Sequence, residues 1–256
     1  MWRVSSAVAT HPGLRREENE DAYCVRPDLG LYLVADGMGG HAAGEVASRL
    51  AVEAVEGFIE QTRAADPAGT WPVPYDPSLS FDGNRLSAAL RLANRRLAAA
   101  VQRDPSLRGM ATTAAALLAT PGGFIVAHVG DSRVYRRRGD RLEQLTDDHS
   151  WVSEQVRAGS LTESDARHHP WRNVVTRAIA GGEDPVVDVA TVDAEPGDVF
   201  MICSDGLSGV VSTETCLEII DAAPSLEAAC RSLVDAANEA GGPDNITVVL
   251  VKIDVA

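Results

Sequence analysis

Apolar positions along the chain follow two different periods. In 41–61, Ala47, Leu50, Ala51, Ala54, Val55 and Phe58 recur at spacings of three and four, and in 85–103 Leu86, Ala89, Leu90, Ala93, Leu97 and Val101 do the same. That spacing gives each segment one apolar stripe, so both read as amphipathic helices, an antiparallel pair lying on a sheet. Short apolar runs bounded by turn residues predict strands at 31–35, 112–119, 124–129, 134–137, 199–203 and 246–253, and 22–25 is strand-like as well. Pro121-Gly122-Gly123 and Arg138-Gly139-Asp140 read as hairpin turns within that series. Consecutive hairpins build an antiparallel sheet, so the expected class is α+β and not a doubly wound parallel fold. Two more helices are expected at 213–222 and 226–240.

The texture breaks at 63–84, where Pro67, Pro72, Pro74 and Pro77 stand among Gly, Ser and Asp residues. This reads as an extended surface loop joining two helices, since neither side alone carries a full set of strands. The polar, His-containing stretch 147–182 is weakly periodic and reads as a small helical excursion over the sheet. With no internal repeat in the sequence, 1–256 is expected to form a single domain.

Composition narrows the function. The 256 residues are 45% hydrophobic and 23% charged, an ordinary globular balance, and only 5% aromatic, so Ala, Val, Leu and Ile must build the core. The net charge of −14 argues against a nucleic-acid partner, which would need a basic face, and suits a protein that gathers cations. Cys24, Cys203, Cys216 and Cys230 form no CxxC pair and read as small buried hydrophobes in a reducing compartment. No secretory leader pattern and no run of about 18 apolar residues is present. A cytoplasmic monomer with no membrane association is therefore expected.

Six acids stand beside strand ends. Asp36 follows the apolar run ending at Ala35, Asp131 follows 124–130, and Asp205 follows 199–204. Asp244 immediately precedes the last strand, and Glu20 and Asp21 precede 22–25. Taken singly, each Asp also fits the ordinary role of a turn or cap residue. As a set, carboxylates on rigid strand ends would make a dense negative site that is costly without cations. An all-oxygen set favours hard ions such as Mg²⁺ and Mn²⁺ over zinc.

The residues around these acids carry a family resemblance. Arg16-Glu17-Glu18-Asn19-Glu20-Asp21, Ala35-Asp36-Gly37-Met38-Gly39-Gly40-His41, Val129-Gly130-Asp131-Ser132-Arg133-Val134-Tyr135, Cys203-Ser204-Asp205-Gly206-Leu207 and Gly242-Pro243-Asp244-Asn245 occur in this order. Together they resemble the bacterial branch of the metal-dependent protein phosphatases, the type 2C or PPM class, over most of the chain. The resemblance implies a four-layer α-β-β-α sandwich with metals in a cleft at one end of its two sheets, and 147–182 as the family's flap. It implies that Asp36 bridges two metal ions, with Gly37 offering a carbonyl and Asp205 and Asp244 completing the first ion's shell. Glu20 belongs to the second ion's shell, mostly through water, with Asp21 in support. Asp131 and Asp205 would hold a third, weaker ion, and Arg16 would grip the substrate phosphate. A hydroxide bridging the two central Mn²⁺ or Mg²⁺ ions would then hydrolyse phosphoserine or phosphothreonine in proteins, opposing a cognate serine/threonine kinase.

Some positions depart from the family or stand outside its chemistry. Met38 occupies the place where many eukaryotic relatives carry a His assigned as general acid, so the leaving-group acid is unassigned. His41 fits a structural helix start as well as a catalytic role. Ala111 and Ala180 each stand where many relatives have Gly. His169, with Pro170, Arg172 and Asn173, matches a flap motif and is a candidate substrate-facing residue. His128 reads as a satisfied core residue and His11 and His168 as solvated. Arg133 reads as the partner of an acid near the site, and 136–138 as a solvated hairpin tip. Two rival functions remain: a small-molecule phosphomonoesterase using the same metals, and a catalytically silent binding module, which should have lost metal acids that are all present here.

Overall fold

A computed structural model of the chain describes residues 3–39, 43–64 and 69–254. His41 and Pro67 lie outside the described residues, and so does the Gly40-His41 end of its motif. The elements are β1 (Arg3–His11), β2 (Asp21–Arg26), β3 (Leu31–Met38), α1 (Ala43–Gln61), α2 (Phe81–Arg103), β4 (Ala111–Thr112), β5 (Ala114–Thr120), β6 (Gly123–Val129) and β7 (Arg133–Arg138). They continue with β8 (Arg141–Gln144), α3 (Trp151–Arg157), α4 (Glu163–His168), β9 (Asp188–Asp193), β10 (Val199–Cys203), α5 (Asp205–Ser208), α6 (Thr213–Ala222), α7 (Leu226–Glu239) and β11 (Ile246–Asp254).

Antiparallel pairing joins these strands into two sheets, ordered β1-β11-β10-β7-β8 and β2-β3-β5-β6-β9, with the short β4 on β3. The alternating side chains explain the layering. One face of β3 and β5, carrying Tyr32, Val34, Ala115 and Leu117, meets Phe200, Ile202, Val249 and Val251 of the other sheet. The opposite face, with Leu31, Leu33, Ala114 and Ala116, packs under the apolar stripes of α1 and α2. On the far side, α7 lays Cys230, Leu233 and Ala237 against Met201, Val248 and Leu250. The result is the expected α-β-β-α sandwich, and small Ala residues on both outer layers let helices approach the sheets closely. All four cysteines are buried free thiols, as expected.

The structure corrects the expectations at several points. Helix α2 starts at Phe81, inside the stretch expected to be loop, because Ser80 caps it by accepting from the Gly83 amide. Asn84, a weak helix former, is held there by bonds from its side chain to the carbonyls of Asp76 and Ser80. Strands β1, β8 and β9 were not expected; each lies at the edge of a sheet. His11 is half-buried, and its Nδ1 accepts from the Gly13 amide at 2.9 Å. Arg136, Arg137 and Arg138 are not a solvated tip. They are partly buried and pair with Glu143 and Asp193, with Asp221, and with Asp193, Glu195 and Asp198 respectively.

Candidate metal centre

The β2–β3 hairpin sets two acids side by side, since Asp21 and Asp36 are direct partners in its register. The Asp36 carbonyl accepts from the Thr113 amide and the Thr112 hydroxyl, both at 2.9 Å, and its amide donates to Thr113 Oγ1 at 3.1 Å. With every backbone bond made, the Asp36 carboxylate projects from a fixed point. Gly37 follows where the chain has no room for a side chain. A Cβ there would stand 2.2 Å from the Gly44 carbonyl oxygen and 2.5 Å from that of Glu20. The carboxylate of Glu20 in turn lies against Gly44 in the first turn of α1, where a Cβ would come within 2.6 Å of it. A helix N-terminus favours such an anion.

The second sheet delivers its acids by the same device. Asp205 follows the end of β10 after Ser204, whose hydroxyl donates to Asp21 Oδ2 at 2.8 Å and accepts from the Thr247 amide at 3.0 Å. Asp244 precedes β11, and its neighbour Asn245 ties three strands' approaches together. The Asn245 side chain accepts from the Glu20 amide at 2.7 Å and donates to the carbonyls of Pro12 and Glu18 at 2.9 and 2.8 Å. Asp131 sits in the buried turn between β6 and β7. Arg16 reaches in from the loop before β2 and places Nη2 2.8 Å from Asp244 Oδ2.

Electrostatics shows how crowded the cleft is. Burial, followed by the charges of Asp21, Asp205, Asp131 and Asp244, holds the Asp36 carboxyl well above the usual range. Burial first and neighbouring acids second push Asp21 and Asp131 up to about 7. Burial and Asp244 raise Asp205, and burial raises Glu20. Two carboxylate oxygens, Asp21 Oδ1 and Asp205 Oδ1, are buried with no hydrogen-bond partner among the described residues. Each such orphan costs about 1–3 kcal/mol. Among the described residues, the guanidinium paired with this set is that of half-exposed Arg16; Arg133 spends its donors on Asp148 and Tyr135. Buried oxygens without donors, in a set with no nitrogen or sulfur, fit hard divalent cations.

Of the candidates from sequence, Arg16, Glu20, Asp21, Asp36, Gly37, Asp131, Asp205 and Asp244 come together here. His169 does not join them by any contact: its ring stacks on Trp151 at 4.9 Å and accepts from the Trp171 amide at 3.1 Å. Ser204, Thr113 and Asn245 were not singled out, although Ser204 and Asn245 lie inside the quoted motifs. A second cluster was also missed, in which ligand atoms of His128, His149 and Asp188 lie within 4.8 Å of one another. Three of its four ring nitrogens are already engaged. His128 Nε2 meets the Asp147 carbonyl at 2.8 Å, His149 Nδ1 accepts from the Gly130 amide at 3.1 Å, and His149 Nε2 meets Asp188 at 3.1 Å. The guanidinium of Arg177, 3.3 Å from Asp188, already supplies a cation.

The chain is similar to several known proteins. The sequence model described as "Protein phosphatase 2C" matches residues 15–245. The serine/threonine protein phosphatase PstP of Mycobacterium tuberculosis (strain H37Rv) is 38% identical over 248 residues, which is 96% of this chain and 44% of PstP. The chain thus spans under half the length of that relative. Protein phosphatase PhpP of Streptococcus pneumoniae (strain R6) is 35% identical over 253 residues, covering 97% of both chains. A crystal structure of the PstP catalytic domain in complex with two manganese ions superimposes with a TM-score of 0.82 at 35% identity and covers 100% of both chains.

Proposed function

Because this chain belongs to the protein phosphatase 2C family, we propose that it removes phosphate from phosphoserine and phosphothreonine in proteins with the help of Mn²⁺ or Mg²⁺. The observation that carries the proposal is the convergence of Asp21, Asp36, Asp131, Asp205 and Asp244 from both sheets, with buried oxygens that no donor among the described residues satisfies. Asp36, Asp205 and Asp244, with the Gly37 carbonyl, would hold two ions, and Glu20 and Asp21 would support the second. Asp131 with Asp205 would hold a third, weaker one. Such ions supply Lewis acidity and a water acidified toward neutral pH.

The chain's own groups do the rest. Arg16 is half exposed and anchored at one nitrogen by Asp244, so its remaining N–H donors can take two oxygens of a phosphoryl group and stabilise the charge that builds there. Asn245 and Ser204 keep Glu20 and Asp21 oriented. With Met38 apolar, the leaving oxygen must take its proton from solvent or from an acid of the cluster. The partner is a phosphorylated protein and the opposing enzyme a serine/threonine kinase. Four buried, free thiols accord with a reducing, cytoplasmic setting. Among the described residues, no helix is long and apolar enough to cross a membrane.

The test is turnover of phosphothreonine peptides in Mn²⁺, Mg²⁺, Ca²⁺ or excess chelator. Activity should vanish in chelator and return with Mn²⁺ more fully than with Ca²⁺, a poorer Lewis acid with looser geometry. Full activity in chelator would sink the metal mechanism, and preference for sugar or nucleotide phosphates over peptides would redirect it to small molecules.

A further inference from the structure

We propose that His149 is a positioning residue that clamps the turn at 130–132 and so fixes where the Asp131 carboxylate stands in the cleft. The clamp has two opposed bonds, one to the ring and one between backbones: the Gly130 amide donates to His149 Nδ1 at 3.1 Å, and the His149 amide donates to the Gly130 carbonyl at 3.0 Å. Because Nδ1 accepts, the ring proton must sit on Nε2, where it points at Asp188 Oδ2, 3.1 Å away. Asp188 thus selects the tautomer that the turn needs. His128 stacks on the same ring at 4.6 Å and 19°, which holds the imidazole plane, and the bonds at its two nitrogens choose between the two flips in that plane. His149 is only 1% exposed.

The far side of the turn is closed as well. Gly130 has φ +107°, and a Cβ there would stand 2.6 Å from Thr113 Cβ, so the turn is pressed against β5's entry. Ser132 Oγ meets Thr113 Oγ1 at 2.7 Å, and that same oxygen accepts from the Asp36 amide. Asp131 is therefore fixed between His149 on one side and, through Thr113, the backbone of Asp36 on the other. Residues that orient ligands from behind typically matter by about 10–100-fold in affinity or activity. This inference rests on the reading of Asp131 as a ligand of the proposed site only for its consequence on ions and turnover; the clamp itself does not.

Hydrogen exchange at the Gly130 amide in metal-free protein reads the clamp directly. His149→Leu keeps bulk and removes the acceptor, and should speed that exchange about tenfold, the factor one hydrogen bond is worth. His149→Asn offers an amide oxygen near the position of Nδ1 and should restore slow exchange. Calorimetry should find the weakest Mn²⁺ bound about 10–100-fold less tightly in the Leu variant and near wild type in the Asn variant. The drop in kcat on a phosphopeptide should exceed that on an aryl phosphate, with KM little moved. Unchanged Gly130 exchange in the Leu variant would overturn the proposal, as would equal impairment of the Leu and Asn variants, which would make His149 a packing residue. Should the Leu variant not fold, ¹⁵N spectra of the wild type decide: an unprotonated Nδ1 coupled to the Gly130 amide supports the clamp, and a protonated Nδ1 overturns it. A wild type inactive on both substrates would count against the proposed function alone, leaving amide exchange to judge His149.

Discussion

Asp36 and Asp205 come from opposite sheets, and each is raised by burial and by its neighbours' charge. Replacing either by Asn keeps the shape and removes one negative charge. Asp36→Asn and Asp205→Asn should each nearly abolish turnover with Mn²⁺ while raising the melting temperature in chelator, because like-charge repulsion is relieved. Wild-type turnover in either variant would remove that residue from the ligand set. Arg16→Ala should lower kcat/KM by about 10²–10³, the size expected for one pre-placed charge stabiliser. A change of a few tenths of a kcal/mol in stability with catalysis intact would reduce it to a surface ion pair. At this scale the sequence was informative where the chemistry lives in the side chain itself, so the acids and Arg16 could be named from their motifs. His149, Thr113 and Ser204 escaped notice because the groups they hold are far away in the chain. Nothing in a local pattern says that His149 meets Gly130 or that Ser204 meets Asp21.

Elements were legible in proportion to how fully they are buried. Strands β3, β5, β6, β10 and β11, interior to their sheets, are continuous apolar runs, and their expected cores match the structure within a few residues. Three edge strands, β1, β8 and β9, were missed because an edge is apolar on one side at most. The exposed and half-exposed pattern of β9, Asp188–Asp193, reads as loop until its pairing with β6 is known. The approaches to β2 and β11 depend on one side chain of that hidden kind. Asn245 is 4% exposed and serves the Glu20 amide and the carbonyls of Pro12 and Glu18. Asn245→Ala should cost about 1–3 kcal/mol for each buried partner left bare, less whatever water repairs. It should also weaken Mn²⁺ binding, since Glu20 loses its anchor. Denaturant melts and calorimetry would check both, and a variant that loses stability but binds Mn²⁺ normally would detach Asn245 from the site.

The whole molecule places two sheets face to face, with Phe124 against Phe200 at 4.8 Å in the shared core, and gathers carboxylates at one end of that interface. That arrangement makes the metal-free fold sensitive to pH in a definite direction. Asp21 and Asp131 are pushed up to about 7, against about 3.9 for Asp in an unfolded chain. Groups that bind protons more tightly folded than unfolded stabilise the fold fully below the unfolded value and lose that contribution as pH rises through the folded one. In chelator, their share of the stability should therefore fall between about pH 4 and pH 7 and be largely gone above it. His149 acts with the opposite sign, since burial lowers its proton affinity and its charging on acidification opposes folding. The sound comparison is therefore the slope of melting temperature against pH in wild type and in Asp21→Asn with Asp131→Asn. The double variant should lose the acidic group's downward slope between pH 5 and 8 and melt higher than wild type at pH 8. Mn²⁺ should flatten the wild-type slope too, because ions then occupy the place that protons hold in chelator. Parallel slopes in wild type and double variant, with and without Mn²⁺, would mean that these carboxylates titrate normally and that the cleft is not a crowded, cation-seeking site.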